Sequence, residues 1–176
     1  NYTYTKLLKG SVCSEAKKYK KLTPSSSALV FYWGIKGYQS PLETHNILFS
    51  NNYETEFSDL FQNSIVPNDP TVYIYISSKL IKQDAPQNSE NWFVMVNAPY
   101  INGQNWNEEI AKTKNKVLLK IRQRLGVDLS SYIHFEKVLS PLDIEQTTNS
   151  HLGSLYGISS NNRNAAFLRQ NNRSGS

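Results

Sequence analysis

Four short segments rich in apolar and aromatic residues constrain this chain more than any other feature of its sequence. The longest continuous one is Ala28 to Ile35, which reads A-L-V-F-Y-W-G-I. Its length and its β-branched and aromatic residues favour a strand, and a run that is apolar throughout favours a central strand covered on both faces. Similar strands are predicted at Thr71 to Ser77 and Trp92 to Ala98, and a weaker one at Thr44 to Ser50. These segments predict that a sheet forms the centre of the fold.

Segments with helical periodicity lie between the predicted strands. The clearest helix is Trp106 to Leu125, because its apolar residues recur at three- and four-residue steps on one face and Gly126 follows as a terminator. Asn52 to Asn63 repeats that spacing, with acidic residues in its first turns. Shorter helices are predicted at Ser14 to Leu22 and from Ser140, where a serine, a proline and an acid form a typical helix start.

A fifth strand is predicted at Ser131 to Leu139, where apolar and polar residues alternate. This alternation places Ile133 and Phe135 on one face of the strand. It places His134 and Glu136 on the other face, as a surface pair. The strand is therefore predicted to be half-exposed.

The order of these elements predicts an α+β fold. We expect a mixed β-sheet of about five strands with helices packed mainly on one face. The strands at 28–35 and 44–50 are predicted to form a hairpin-like unit, and those at 71–77 and 92–98 to be antiparallel neighbours joined by an extended loop. At 176 residues, the chain is predicted to form a single domain, residues 1–176, that is large enough to bury a core.

Charge and cysteine content exclude several classes of protein. The net charge is +5, and basic residues gather in the predicted helices at 14–22 and 106–125. They form either solvated helix faces or a surface attracted to anionic lipid. No motif of a nucleic-acid-binding module accompanies them, so nucleic acid is not an expected partner. The single cysteine, Cys13, excludes an internal disulfide and is compatible with a reducing cytoplasm. No apolar run reaches the roughly 18 residues of a spanning helix.

Several familiar catalytic and nucleotide-binding motifs are absent from the sequence. It contains no G-x-G-x-x-G, no G-x-x-x-x-G-K-[S/T], no G-x-S-x-G and no H-E-x-x-H. The three histidines, His45, His134 and His151, lack the short spacing of metal ligands, so no metal site is expected. The residues themselves therefore point to no catalytic group.

Aromatic residues concentrate in three of the predicted strands. Strand propensity and core packing alone explain such residues. The alternative is that one face of the sheet lines a long apolar channel, where a ligand is bound through buried area and aromatic contact. The candidate lining residues in the strands are Tyr32, Trp33, Tyr73, Tyr75 and Trp92.

The stretch from Ser140 to Ser174 is too long and too polar for a core element. After its helix start it is rich in Gly, Asn and Ser, which is typical of a loop that has to fit a ligand or a neighbouring domain. Arginine is suited to contact phosphate or a carboxylate there. The candidates are His151 and Tyr156 for lining a ligand, and Gly153, Arg169 and Arg173 for contacting a cofactor or a neighbouring domain.

Four sequence motifs carry a resemblance to a known family. They are S-S-A-L-V-F-Y-W-G-I at 26–35, P-L-D-I-E-Q-T-T-N at 141–149, G-S-L-Y-G at 153–157 and F-L-R-x-x-N-R-S at 167–174. Together they resemble the middle and late part of phytoene-desaturase-type enzymes, the carotenoid desaturases of the flavin-dependent amine-oxidase-like group. The resemblance covers most of the chain and departs from the family at Gln170, where a proline is usual.

The resemblance implies a substrate-binding domain of a FAD-dependent phytoene dehydrogenase or carotenoid desaturase. Such a domain positions a long apolar isoprenoid polyene for hydride removal by the flavin. The resemblance also implies that the nucleotide-binding domain of the same protein lies outside these residues, so this fragment is expected neither to bind FAD nor to be active alone. The chain begins with Asn rather than Met, which agrees with a mature or excised fragment. The expected location is the cytoplasm, with peripheral membrane association that follows from the insolubility of the substrate.

Two alternatives remain open at the level of the sequence. One is a related polyene oxidoreductase, either carotenoid oxygenase-like or retinol saturase-like. The other is a non-catalytic module that binds lipid or docks on a membrane. A dinucleotide motif upstream in the gene and a Gly-rich flavin segment downstream would favour the enzyme.

Overall fold

The structure is a computed structural model and describes Tyr2 and residues 22–159. The predicted helix at Ser14 to Leu22 lies almost wholly outside the described residues, and so do Cys13, Arg169 and Arg173. The fold is therefore described from Leu22 to Ser159.

Five strands form one sheet in this part of the chain. They are β1 (Ser27–Lys36), β2 (His45–Leu48), β3 (Val72–Tyr75), β4 (Ser89–Ala98) and β5 (Ile133–Leu139). Their order is β2-β3-β4-β1-β5, and every pairing is antiparallel. The predicted α+β fold and its five strands are confirmed, with a sheet that is antiparallel throughout.

Strand pairing differs from the prediction at one edge of the sheet. The predicted hairpin-like unit of the first two strands is wrong, because β2 pairs with β3 and not with β1. Both edges of β1 are occupied by strands longer than β2, with β4 on one side and β5 on the other. The predicted antiparallel pairing of β3 with β4 is confirmed.

Three α-helices flank the sheet in the described residues. They are α1 (Tyr53–Ser58), α2 (Trp106–Leu125) and α3 (Pro141–Thr148), and α1 continues into a π-helical turn over Asp59–Asn63. Short 3₁₀ turns occupy Ser77–Lys79, Lys82–Asp84, Leu129–Tyr132 and His151–Gly153.

The helix ends follow from local hydrogen bonds. The predicted start at Ser140 is confirmed as a reciprocal cap, since Ser140 and Asp143 each accept a backbone N–H of the other. Asn52 caps α1 by accepting the Thr55 N–H. The predicted terminator Gly126 ends α2 with a φ of 70°.

One face of the sheet carries the main hydrophobic core. Alternate residues of β1, β3 and β4 are buried there, and α2 packs against them with Val117 and Ile121, both 0% exposed. The predicted apolar face of α2 is therefore confirmed. The buried strand residues on this face are Leu29, Phe31, Trp33, Ile35, Val72, Ile74, Trp92, Val94, Val96 and Ala98.

A bulge changes the faces of β5. The pairing register with β1 shifts between Gly34 and Ile35, so Ile133 lies opposite Ile35 while Phe135 lies opposite Gly34. The prediction that Ile133 and Phe135 share a face is therefore wrong. The extra residue in β5 is the cause, because it moves Phe135 to the opposite face, where it is 61% exposed.

The two ends of the described region lie side by side. The Ser25 N–H donates to the Gly157 carbonyl over 2.9 Å, and the Leu155 N–H donates to the Ser26 carbonyl over 3.0 Å. Pro24 forms an antiparallel bridge with Ile158. We call residues 23–26 and 155–159 the paired stem. The chain enters and leaves the described fold through it.

Candidate functional site

The second face of the sheet presents aromatic side chains to its surroundings. Near the start of β1 this face is buried, since Ala28 and Val30 are 2% and 4% exposed. Further along β1 and towards β2 the face opens: Tyr32 is 37% exposed and Ile47 is 53% exposed. We call the open part the aromatic face, which consists of Tyr32, His45, Ile47, Tyr73, Tyr75, Phe93, Met95 and Phe135.

The rings of the aromatic face contact one another across four strands. The ring centroids of Tyr32 and Phe93 are 5.5 Å apart, and those of Phe93 and Tyr73 are 6.2 Å apart. His45 continues the series, with its ring 6.2 Å from that of Tyr73 and 4.8 Å from that of Tyr75. At about 4.8 Å between neighbouring strands, this ladder spans roughly 14 Å. It forms a continuous aromatic strip in the described residues.

Strand geometry explains how a run of apolar residues produces two different faces. Successive side chains of a strand point to opposite sides. In β1 this sends Phe31 and Trp33 into the core, whereas Tyr32 between them lies on the aromatic face. In β3, Tyr73 and Tyr75 are half-buried while Ile74 between them is 0% exposed.

A polar pair lies near the β2 edge of the aromatic face. His45 Nδ1 is 2.8 Å from the Tyr73 hydroxyl, and both side chains are solvent-accessible. The register places His45 opposite Tyr75, and the His45 ring stacks on it. This edge of the strip therefore has hydrogen-bonding groups among apolar rings.

The structure removes two tryptophans from the set of predicted lining residues. Trp33 and Trp92 are cross-strand partners on the core face, and they are 2% and 1% exposed. Each indole N–H is bonded to a glutamate, Trp33 to Glu136 over 2.7 Å and Trp92 to Glu90 over 2.8 Å. These tryptophans are core residues, because burial and satisfied N–H groups leave them no surface for a ligand.

Three other candidates lie near the start of β1, beside the paired stem: His151, Gly153 and Tyr156. Burial lowers the pKa of His151, against the opposing effect of Glu145. Gly153 has a φ of +69°, packs against the Pro141 carbonyl, and accepts a hydrogen bond from Ser27 Oγ over 2.6 Å. Tyr156 is 76% exposed. Apart from the two buried tryptophans, the described candidates thus fall into two groups: Tyr32, Tyr73 and Tyr75 on the aromatic face, and the three residues beside the paired stem.

The described residues lack two arrangements that commonly hold cofactors. Among residues 22–159 there is no group of three His, Cys, Asp or Glu side chains positioned to hold a metal ion. The described sheet is antiparallel, so it contains no parallel β-α-β unit of the kind that holds a dinucleotide pyrophosphate.

The basic residues of α2 are largely paired with acids or carbonyls. Lys112 contacts Glu108 over 2.6 Å, and Lys114 contacts Glu136 over 2.8 Å. Lys120 contacts Asp69 over 2.5 Å. These contacts favour an ion-paired helix surface over an unpaired cationic one. Within the described residues, no helix has both the length and the apolar character needed to cross a bilayer.

Sequence reasoning missed much of the aromatic face. Phe93 and Met95 carry a usable signal, because side chains alternate along β4 and these two share a face with Tyr32 and Tyr73. Phe135 depends on the bulge in β5, and His45 and Ile47 depend on the pairing of β2 with β3. Both depend on contacts between distant parts of the chain.

An antiparallel sheet with α2 packed on its core face and an aromatic strip on its open face is suited to binding an elongated apolar molecule. Comparison with known proteins identifies relatives of the chain. No protein-family model matches the chain. It is 50% identical over 170 residues to a 1-hydroxycarotenoid 3,4-desaturase of Flavobacterium sp. (strain P99-3), an alignment that covers 97% of this chain and 34% of that protein.

Other relatives are named as an oxygenase and a second desaturase. A 4,4'-diaponeurosporene oxygenase of Staphylococcus haemolyticus is 34% identical over 157 residues, which cover 89% of this chain and 31% of that protein. A phytoene desaturase of Neurospora crassa is 32% identical over 165 residues, which cover 89% of this chain and 28% of that protein. The chain is therefore homologous to a segment of the carotenoid-desaturase-type proteins, and it spans about a third of the length of the curated relatives it matches.

Proposed function

We propose that this chain is the substrate-binding domain of a FAD-dependent carotenoid desaturase and that the aromatic face binds a long apolar isoprenoid polyene. The observation that carries the proposal is the ladder of ring contacts from Tyr32 through Phe93 and Tyr73 to His45, on a sheet face left open in the described residues. The relatives named as carotenoid-modifying enzymes support the chemical class of the ligand.

The physical basis of binding is burial of apolar area. A polyene has no charge and few or no hydrogen-bonding groups along its length, so its affinity comes from surface removed from water, at about 25 cal/mol per Å². Flat conjugated chains pack well on aromatic rings. The rest of the face adds Ile47, Met95 and Phe135 as further apolar contacts.

Desaturation requires an electron acceptor that this chain is not proposed to hold. One hydrogen leaves a carbon of the polyene as hydride and another leaves the adjacent carbon as a proton that is released to solvent, so that a C–C single bond becomes a double bond. In the proposed full-length enzyme, FAD bound by the nucleotide-binding domain supplies the acceptor for the hydride. The residues of this chain bind the polyene, orient it and exclude water. The isolated chain is proposed to be inactive.

A carotenoid oxygenase is the second candidate. The staphylococcal relatives at 32% to 34% identity carry that name, and they match nearly the same part of the chain. The higher identity of the Flavobacterium desaturase favours desaturation. The products distinguish the two reactions: desaturation lowers the mass of the polyene by two hydrogens, while oxygenation adds oxygen.

Location follows from the proposed substrate. A polyene of this kind resides in membranes, so the full-length enzyme is proposed to be a cytoplasmic protein that associates peripherally with a membrane surface. The ion pairs along α2 leave that helix a weak candidate for the contact.

The experiment is a binding measurement with the chain itself. Lycopene is delivered from detergent micelles, and the visible absorbance that co-elutes with the protein on a sizing column is measured. The double variant Tyr32→Ser and Phe93→Ser is expected to lose most of this absorbance.

The matched control is Tyr53→Ser, because Tyr53 is an aromatic residue of α1 that is 54% exposed and lies outside the aromatic face. It is expected to bind like the unmodified chain. Equal loss in the control and the double variant would contradict the proposal, as would an unmodified chain that binds no lycopene. Circular dichroism of each variant separates lost binding from lost folding.

A further inference from the structure

We propose that a loop beside the aromatic face inserts into the surface of an anionic phospholipid membrane and brings the open end of that face to the lipid. The loop comprises residues 77–82, between β3 and β4, and we call it the tip loop. The inference rests on the function proposed above, since it supplies the route by which a polyene leaves the bilayer. It goes further by assigning the membrane contact to particular residues.

Two neighbouring aliphatic side chains of the tip loop are exposed to solvent. Leu80 is 73% exposed and Ile81 is 53% exposed. Single exposed aliphatic residues are ordinary on protein surfaces. An adjacent pair at a loop forms a patch, and its burial against an apolar partner is favourable.

Hydrogen bonds fix the backbone that presents this pair. The N–H groups of Leu80 and Ile81 both donate to the Ser77 carbonyl, over 3.0 and 2.9 Å. The Lys79 ammonium contacts the Glu90 carboxylate over 2.6 Å, and the Glu90 side chain is 2% exposed. Turning the pair inward would break these contacts. The outward position of the two side chains is therefore built into the loop.

A polar cleft of about 580 Å³ lies beside the pair. Lys79 is bonded to Glu90, but Lys82 is exposed and makes no ion pair in the described part of the chain, even with Asp84 two residues away. Ammonium and amide N–H groups donate hydrogen bonds to phosphate. The lining side chains with such groups are Gln39, Lys79, Lys82, Gln87 and Asn88.

The combination of the pair and the cleft indicates the kind of partner. Apolar side chains beside donors for phosphate match the boundary between the headgroups and the acyl chains of a bilayer. A uniformly apolar protein surface would leave the donors of the cleft without partners. The tip loop therefore fits a phospholipid surface better than an apolar protein.

The tip loop lies at the end of the sheet opposite the paired stem. β1 follows the stem at Ser27 and ends at Lys36, which pairs with Ser89, where β4 begins after the loop. The length of β1 separates the two ends, roughly 30 Å at about 3.3 Å per residue. The chain enters and leaves the described fold at one end of the sheet and presents the tip loop at the other.

The aromatic face opens towards the same end as the tip loop. Along this side of β1, Val30 is 4% exposed near the stem, whereas Tyr32, further along, is 37% exposed. Asn91 lies beyond Phe93 on the same side of β4, and its side chain accepts the Ser78 N–H over 3.0 Å. A ligand that leaves the bilayer at the tip loop thus reaches the aromatic rings without crossing bulk water.

The test is flotation of the chain with vesicles made of phosphatidylcholine and phosphatidylglycerol in equal parts. The unmodified chain is expected to float with them. The double variant Leu80→Ser and Ile81→Ser is expected to bind about tenfold more weakly, because it lacks the apolar surface that enters the lipid. Lys82→Gln is expected to bind about fivefold more weakly, and only where phosphatidylglycerol is present.

The matched control is the double variant Leu119→Ser and Leu142→Ser. These leucines are 56% and 48% exposed on α2 and α3, outside the tip loop, so this variant is expected to float like the unmodified chain. An unmodified chain that does not float would overturn the inference, as would equal losses in the two double variants. An equal effect of Lys82→Gln on vesicles of phosphatidylcholine alone would overturn the headgroup contact.

Binding of lycopene from detergent micelles separates this inference from the proposed function. The double variant of Leu80 and Ile81 keeps every residue of the aromatic face, so it is expected to bind lycopene from micelles like the unmodified chain. Loss of that binding with an unchanged circular dichroism spectrum would overturn the separate role of the tip loop. An unmodified chain that binds lycopene but does not float would overturn this inference and leave the proposed function standing. A chain that floats but binds no lycopene would overturn the proposed function and leave the membrane contact standing.

Discussion

The indole Nε1 of Trp33 donates a 2.7 Å hydrogen bond to Glu136 Oε2, which ties β1 to β5 beside the core. The same carboxylate binds Lys114 of α2 over 2.8 Å. Three elements of the fold therefore meet at one glutamate, and the residue that the sequence alone places in a surface pair has a structural role.

The first prediction concerns this glutamate. Glu136→Ala leaves the buried Trp33 N–H without its acceptor and is expected to lower the free energy of unfolding by about 1–3 kcal/mol. Urea denaturation measures the change. Glu108→Ala is the control, because the pair of Glu108 with Lys112 is about half exposed, at 55% and 52%, and is expected to contribute less than about 1 kcal/mol. Equal effects of the two substitutions would contradict this account.

A second prediction compares two glycines that have similar backbone φ angles. Gly153 and Gly157 have φ values of +69° and +76°, which cost a residue with a Cβ about 1–2 kcal/mol. A Cβ on Gly153 would also collide with the Pro141 carbonyl, whereas a Cβ on Gly157 meets nothing within 4 Å. Gly153→Ala is therefore expected to lower the melting temperature clearly more than Gly157→Ala. Similar melting temperatures for the two variants would show that the contact with Pro141 is unimportant.

Two isoleucines test the division of the sheet into faces. Ile74 is 0% exposed in the core, and Ile47 is 53% exposed on the aromatic face. Ile74→Ala is expected to cost about 2–5 kcal/mol of stability, and Ile47→Ala less than about 1 kcal/mol. Because the chemical change is identical, chemical denaturation of the two variants reports burial directly. A large cost at Ile47 would mean that the aromatic face is covered in the isolated chain.

The fourth prediction is a pH dependence at Asp69. Burial raises the pKa of Asp69, but hydrogen bonds from Asn51 and Lys120 and the charge of Lys120 outweigh burial and hold the pKa below its ordinary value. A carboxyl with a lowered pKa stabilises the fold above its unfolded pKa of about 3.9, and this stabilisation disappears as the pH falls through the folded value. Asp69→Asn is therefore expected to be less stable than the unmodified chain at pH 7, with a difference that shrinks in acid below about pH 4.

Unfolding at neutral and acidic pH measures this difference. Asp84→Asn serves as the control, since Asp84 is exposed and makes no ion pair within the described residues. Its stability is expected to follow that of the unmodified chain at each pH. A constant gap between Asp69→Asn and the unmodified chain down to strong acid would refute the linkage.

Local signals predicted much of this fold because they act within a few residues. The apolar spacing of α2, its glycine end and the start of α3 at Ser140 depend on neighbouring residues alone, and the structure confirms them. The apolar runs likewise predicted where strands lie. The partner of β2 was not predictable in this way, because β1, β3 and β4 offer similar edges and the choice among them is made by distant contacts.

The site was only partly predictable for a related reason. The sequence F-Y-W in β1 is uniformly aromatic, so composition cannot tell that Phe31 and Trp33 enter the core while Tyr32 does not. That distinction depends on which face α2 covers. Phe135 was unpredictable because one extra residue in β5 reverses its direction.

The paired stem brings the beginning and the end of the described fold within one strand spacing of each other, about 5 Å. A host framework would need to part by only about that distance to receive residues 23–159. A segment whose ends lie this close together is thus suited to transplantation as a cassette, which would exchange the whole five-stranded sheet in a single step.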